Sequence, residues 1–266
     1  MKTEPIQNFP VRDAQNLIGL ATDIDDTLTT NGKLLPAAYQ ALGDARDAGL
    51  RVLVITGRPA GWVDHIARMW PVDGVIGENG AFYFYMHQGK LKRVFLQNEK
   101  ERLKNRQKLH QIAQEIVTHI PGCALASDQP YRECDVAIDY CEDVEPLPKD
   151  AVQKIVSIFQ KYGVTCKVSS IHVNGWIGRY DKLKMTKNFV QDVLGMNLEK
   201  NEKKFVFFGD SPNDEPLFAF FTHSIGVANI HRFLEDLKHP PRWITQEKGS
   251  LGFQEGVKTL LEHLST

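Results

Sequence analysis

Cysteine is scarce and poorly placed for a structural role. Cys123, Cys134, Cys141 and Cys166 are the only four, and none forms a C-x-x-C pair, which argues against a zinc site. They also lack the regular frame of a disulfide scaffold, and a chain of 266 residues can bury a core without one. Charge of one sign is lacking too. Lys and Arg number 32 against 33 Asp and Glu, a net charge of −1, so no global field attracts nucleic acid or an anionic membrane surface. The one dense basic stretch, "EKERLKNRQKLHQ" (99–111), mixes both signs and reads as the solvated face of a helix. No window of eighteen apolar residues exists, so no membrane span is expected. The opening "MKTEPIQNFP" has no apolar h-region, so no signal peptide is expected either. These absences lead to the expectation of a cytoplasmic protein whose partners are small molecules, with oligomeric state open. No internal repeat or low-complexity tract is present.

What is present is a rhythm. "LIGLATDI" (17–24) reads as a short buried strand, "PAAYQALGDARDAG" (36–49) as a helix with Pro36 early and Gly49 past its end, and "RVLVIT" (51–56) as a second strand. A loop and helix follow in "GRPAGWVDHIARMW", then a third strand in "DGVIGENGA" (73–81), then a hairpin over 81–95 turning at Gln88-Gly89-Lys90. Alternation of strand and helix predicts a parallel sheet covered on both faces. Residues 98–119 form a long helical pattern, followed by strand-like segments and a helix over 148–163. In "ECDVAIDY", Cys134, Val136, Ile138 and Tyr140 alternate with Asp135, Ala137, Asp139 and Cys141, the pattern of a half-buried strand. The first rhythm returns with "KLKMTKNFVQDVLG", "KFVFFGDS", "NDEPLFAFF", "SIGVA" and "GFQEGVKTLLEHL". The expected architecture is an α/β, Rossmann-like parallel-sheet core interrupted by an inserted α+β cap: core over 1–96, cap over 97–178, core again over 179–266.

Acids collect where predicted strands end. "DIDD" packs Asp23, Asp25 and Asp26 after the first strand, and like charges this close are costly unless something offsets them. In a parallel sheet, ligands bind outside the carboxyl ends of the strands. Four segments fall there: Asp23, Asp25 and Thr27; Thr56, Gly57 and Arg58; Lys182; and "GDSPND" (209–214), with Asp210 and Asp214. A magnesium ion, which prefers hard oxygen ligands, would offset the carboxylates, and with the lysine it would form a cationic pocket for a phosphoryl group. An aspartate at such a centre can attack phosphorus, and a second can carry the leaving group's proton.

In four ordered segments the sequence resembles the haloacid dehalogenase-like hydrolases. "DIDDT" is similar to their D-x-D-x-T motif, "ITGR" to the second motif, "DKLKM" to the lysine-bearing third and "GDSPND" to the G-D-x-x-N-D fourth. The insertion between the second and third motifs, with "GENGAFY" (77–83) before it, resembles subfamily IIB, the Cof-type, sucrose-, trehalose- and mannosylglycerate-phosphate phosphatases. The resemblance implies Asp23 as nucleophile and metal ligand. It implies Asp25 as general acid/base, with its carbonyl on the metal, and Thr27 as the residue orienting Asp25. Thr56 would hold the phosphoryl group, and Lys182 would stabilise it. Asp210 would bind Mg2+ directly, Asp214 directly or through water, and Asn213 would fix Lys182 or the phosphoryl oxygens. Arg58, with Gly57, and Asn79 would face the substrate. Lys182 is chosen over Lys184 because "DK" keeps the family spacing. Cap residues Arg132, Glu133, His172, Asn174, Trp176 and Arg179 lie near predicted strand ends, with Trp176 either stacking on a sugar or packing in the core.

The chain departs from the pattern at Asp26, where the family carries glycine. The function implied is Mg2+-dependent hydrolysis of a small phosphorylated metabolite, in particular a sugar phosphate, through an aspartyl phosphate. A phosphomutase and a non-catalytic binding module on the same fold are the alternatives. The missing extra glycines of "GDSPND" count against the first, and the full set of motif residues counts against the second.

Overall fold

The computed structural model describes residues 3–265. A first run of elements comprises β1 (Glu4–Pro5), α1 (Val11–Ala14), β2 (Gly19–Thr22), a small hairpin of β3 (Thr29–Thr30) and β4 (Lys33–Leu34), α2 (Pro36–Asp47), β5 (Arg51–Ile55), α3 (Ala60–Met69), β6 (Gly74–Gly77), β7 (Phe82–His87) and β8 (Lys90–Phe95). A second comprises α4 (Glu99–His119), β9 (Ala124–Leu125), β10 (Asp135–Asp139), α5 (Lys149–Lys161), β11 (Thr165–Val168) and β12 (His172–Trp176). The last comprises α6 (Lys182–Leu194), α7 (Leu198–Asn201), β13 (Phe205–Gly209), α8 (Glu215–Phe220), β14 (His223–Gly226), β15 (Trp243–Ile244) and α9 (Gly249–Leu264).

The first and last runs share one nine-stranded sheet in the order β1-β15-β14-β13-β2-β5-β6-β7-β8. Its strands run parallel except for the β6–β7 and β7–β8 pairings, which are antiparallel. Period-2 alternation divides the core. Leu20, Val52, Val54, Val75 and Phe208 pack toward α2, α3 and α9, while Ala21, Leu53, Ile55, Ile76 and Phe207 pack toward α6 and α8. Burial on both faces explains why these strands read as continuous apolar runs. The chain winds outward from β2 through β5 and β6 on one side, and from β13 through β14 and β15 on the other. The order therefore switches between β2 and β13, where the crevice for a ligand opens.

The middle run builds its own four-stranded antiparallel sheet, β11-β12-β10-β9, with α4 and α5 on one face. Leu109, Ile112, Ile116, Val136, Ile138, Ile155, Phe159 and Val173 form its core. This small antiparallel sheet with its helices fits a cap. α4 starts at a capping box, in which Asn98 accepts from the Glu101 amide while Glu101 accepts from the Asn98 amide. The expected half-buried character of β10 is corrected. All five of its residues are buried, because the polar face formed by Asp135, Ala137 and Asp139 is covered by the larger unit.

Of the two roles left open for Trp176, the structure favours one, and it adds a strand the sequence reading did not include. Trp176 is buried and stacked on Tyr180, with ring centroids 5.7 Å apart, so packing accounts for it. The two-residue strand β1, which pairs with β15, carries no periodic signal at all.

Candidate active site

β2 and β13 are hydrogen-bonded neighbours, with Thr22 paired to Phe208, so the residues following each strand emerge side by side. Asp23 follows β2, its amide donating to the Phe208 carbonyl at 3.0 Å, and Asp210 follows β13. Asp214 sits one turn further on, and its Oδ2 accepts from the Asp210 amide at 3.2 Å. Carboxylate oxygens of Asp23, Asp210 and Asp214 all lie within 4.8 Å of one another, and all three residues are buried. Lys182 is the first residue of α6. A helix N-terminus ordinarily favours anions, so a buried cation there needs compensation. It receives it from both sides, because Nζ lies 2.9 Å from Asp23 Oδ1 and 2.9 Å from Asp214 Oδ1. Lys184, by contrast, is exposed and donates to the Arg179 carbonyl.

This crowding is felt in the acids. Burial pushes the Asp23 carboxyl up to about 7; Lys182 works against it, while Asp214 and Asp25 add to it. Burial, then Asp214 and Asp23, raises Asp210 well above the ordinary carboxylate range. Although burial opposes it, Asp214 and Asp23 hold the Lys182 ammonium above its usual value. Asp210 Oδ2 is buried with no hydrogen-bond partner. A carboxylate oxygen without a hydrogen bond, 3.9 Å from Arg232 and facing two more carboxylates, belongs to the donor set of a hard divalent cation, and the residues fit Mg2+.

Around this cluster the other expected residues take distinct places. The Thr27 hydroxyl lies 3.4 Å from Asp210 Oδ1, so its hydrogen bond goes to Asp210 rather than to Asp25. The reason is that Asp25 has turned to Arg58, whose Nη2 lies 2.7 Å and Nε 3.0 Å from Asp25 Oδ1. Thr56 is buried, and its hydroxyl accepts from the Arg58 amide at 3.0 Å. Asn213 accepts from the Ser211 hydroxyl and makes no recorded bond to Lys182. Asp23, Asp25, Gly57, Arg58, Asn79 and Asn213 all line one cavity, closed from the other side by residues of β12 and the turn before it, such as Ser170, His172 and Asn174. Its volume of about 20 Å³ holds roughly one water. Glu133 and Arg179 do not line it.

Residues 20–121 match the family model of haloacid dehalogenase-like hydrolases. Over those residues the chain is similar to that family. It is similar to a phosphoglycolate phosphatase of Methanoculleus marisnigri, 24% identical over 92% of this chain and 97% of that protein. Among solved structures it resembles a Thermoplasma acidophilum protein, with a TM-score of 0.71 at 18% identity, covering 92% of this chain and 99% of that one. It also resembles the sucrose-phosphatase of Synechocystis, with a TM-score of 0.62 at 18% identity, covering 91% and 97% of the two chains.

Asp26, which stands where the motif pattern leads one to expect glycine, has φ +58°, in the left-handed region that favours glycine. Aspartate tolerates this region better than most residues. Asp26 is held by its amide on the Thr29 hydroxyl, its carbonyl on Asn229 and its carboxylate 3.6 Å from Arg232.

Glu78 was not singled out from the sequence, since it reads as part of the turn after β6. It is buried, and its two carboxylate oxygens accept four backbone N–H groups. One comes from Ala60 at the start of α3, and three come from Glu133, Cys134 and Asp135 at the start of β10. Glu78, Asn79 and Gly80 all have positive φ, a strained turn that these bonds hold in place. Gly80 also abuts the Asp181 backbone, so any Cβ there would push on the start of α6 and on Lys182. Glu78 thus staples the two sheets together. Glu78→Ala is expected to lower the unfolding free energy in urea by about 3 kcal/mol, because four buried donors lose their acceptor. A loss below about 1 kcal/mol would mean that those amides find other partners.

Proposed function

We propose that this enzyme is a Mg2+-dependent phosphatase that hydrolyses a small phosphorylated metabolite, a sugar phosphate, through an aspartyl-phosphate intermediate. The observation that carries the reading is the convergence of Asp23, Lys182, Asp210 and Asp214 at the switch point between β2 and β13. The phosphatase and sucrose-phosphatase names of proteins similar in sequence and fold support it.

Asp23, Asp210 and Asp214, with the Asp25 carbonyl, would hold Mg2+, which when bound neutralises charge on the phosphoryl oxygens. An Asp23 carboxylate oxygen forms a bond to phosphorus as the bond to the alcohol oxygen breaks, and Asp25 gives that oxygen a proton. Water then attacks the phosphorus, Asp25 takes the water's proton, and the Asp23–phosphorus bond breaks to release inorganic phosphate. Lys182 and the Thr56 hydroxyl stabilise the transferring group. Asp25 enters this sequence from its ion pair with Arg58, so that pair opens during the cycle. The four-stranded unit serves as the cap, and it must lift before substrate can enter a cavity of about 20 Å³.

The test is phosphate release from a panel of phosphorylated sugars, sugar acids and nucleotides, with magnesium and with chelator. Release that needs magnesium is expected. No release from any compound by folded, magnesium-loaded protein would overturn the reading. Magnesium at about 100 times its Kd should also add about 2.7 kcal/mol of stability, visible as a raised Tm.

A further inference from the structure

We propose that the leaving group is uncharged and hydroxylated, and that Glu142, acting through Arg58, sets this preference against carboxylate-bearing substrates. The inference rests on the phosphatase reading above and specifies its substrate.

Two guanidinium groups line the cavity, Arg58 and Arg132, and these are the groups a substrate carboxylate would seek. Both are already engaged. Arg132 places Nε and Nη2 on Asp128 at 2.9 and 3.0 Å, and Nη1 on Asp135 at 2.9 Å and on the Gly57 carbonyl at 3.0 Å. Arg58 places Nε and Nη2 on Asp25, and the same Nη2 reaches Glu142 Oε1 at 2.9 Å. Its Nη1 lies 3.5 Å from Glu142 Oε2 and 3.7 Å from Asp128 Oδ2. Two guanidiniums therefore face four carboxylates, Asp25, Asp128, Asp135 and Glu142. Even with Asp135 protonated, which its burial favours, the carboxylates hold the excess.

Glu142 is fixed in this role. It follows β10 in a turn organised by Asp139, whose carboxylate accepts from the Cys141, Glu142 and Asp143 amides at 2.8–2.9 Å. Its other neighbour is His172, with Nε2 2.9 Å from Oε2. Against the cost of burial, the adjacent His172 ring and the hydrogen bonds from Arg58 hold Glu142 down at about 2, so it carries a full charge at neutral pH.

Asp25 leaves Arg58 during turnover of any substrate, so the discrimination falls to Glu142: a substrate carboxylate reaching Arg58 would have to displace Glu142 from its partly buried ion pair and face it, and like charges brought together discriminate strongly. Hydroxyl groups meet no such barrier. The Asn79 amide nitrogen is buried without a partner and lines the cavity, and Ser169, Ser170 and Asn174 line it as well. These groups donate and accept singly, which suits a polyol.

The experiment compares kcat/KM for glycerol 3-phosphate and glucose 6-phosphate with that for phosphoglycolate and 3-phosphoglycerate, all with magnesium, in the parent and in Glu142→Gln. The parent is expected to favour the neutral pair at least about tenfold. Glu142→Gln should raise the acid-to-neutral ratio about tenfold, chiefly through a lower KM for the acids. A parent that turns over phosphoglycolate as well as the neutral compounds overturns the proposal while leaving the phosphatase reading intact, and so does a ratio unmoved in a folded variant. Should Glu142→Gln fail to fold, the parent's ratio alone decides. No hydrolysis of any of the four overturns this proposal. The wider panel above then separates a failure of substrate class from a failure of the phosphatase reading.

Discussion

Asp23→Asn is expected to slow phosphate release at least about 10⁴-fold at saturating magnesium, because an amide oxygen is a far weaker nucleophile than a carboxylate and cannot carry the reaction by attack on phosphorus. The substitution is nearly isosteric, and Lys182 keeps Asp214 as a partner at 2.9 Å. The fold should therefore survive, and in chelator it should gain. Burial raises the Asp23 carboxyl from 3.8 to about 7, so the folded state binds more protons there than the unfolded chain does. A raised carboxyl pKa means that this group's contribution to stability is fully present below about 4 and is lost as pH climbs through about 7. Asparagine does not titrate and escapes that loss. In chelator the Tm of the variant relative to the parent should thus rise between pH 5 and pH 8. Residual activity within a factor of about 100 of the parent would mean that another group attacks phosphorus. A Tm difference that stays flat with pH would mean that Asp23 is ionised at no cost in the metal-free protein.

The sequence carried the parts of this protein that are written locally. Buried strands flanked by helices have a periodicity, and Asp23, Thr56 and Asp210 follow strand ends that can be seen in "LIGLATDI", "RVLVIT" and "KFVFFGDS". Once the strand order switches between β2 and β13, those ends must converge. Features that depend on distant partners left no such trace. Glu78 is a turn residue until three amides of residues 133–135 arrive beneath it, and nothing in "GENG" announces them. The alternation in β10 correctly separated Val136 and Ile138 from Asp135 and Asp139, but it could not reveal that the acidic side is covered. The resemblance implied that Thr27 orients Asp25. Arg58 draws Asp25 away, and the Thr27 hydroxyl turns to Asp210, across the gap between two strands. Glu142 lies in "YCEDVE", where an acid between acids looks like solvated loop, and only the fold sets it against Arg58 and His172.

The two lysines at the start of α6 give the second large contrast. Lys182→Ala is expected to cut turnover about 10³-fold by removing the fixed positive charge beside the transferring phosphoryl group. It should also leave Asp23 and Asp214 buried without their shared cation. Removing one partner of a buried pair costs about 3–5 kcal/mol, part of which the acids recover by taking up a proton, so a loss of about 3 kcal/mol in chelator is the expected value. Magnesium then acts differently on the two losses. It supplies charge to the carboxylates and restores much of the stability, yet it cannot replace an ammonium group held at 2.9 Å from each of two acids, and turnover stays low. Lys184→Ala removes only an exposed side chain whose one recorded bond is to the Arg179 carbonyl, so its stability should remain within about 0.5 kcal/mol of the parent. Urea denaturation with and without magnesium, together with phosphate release, reads both variants. Equal losses from the two substitutions, or a larger one at Lys184, would remove Lys182 from the reaction and return it to a purely structural role at the head of its helix.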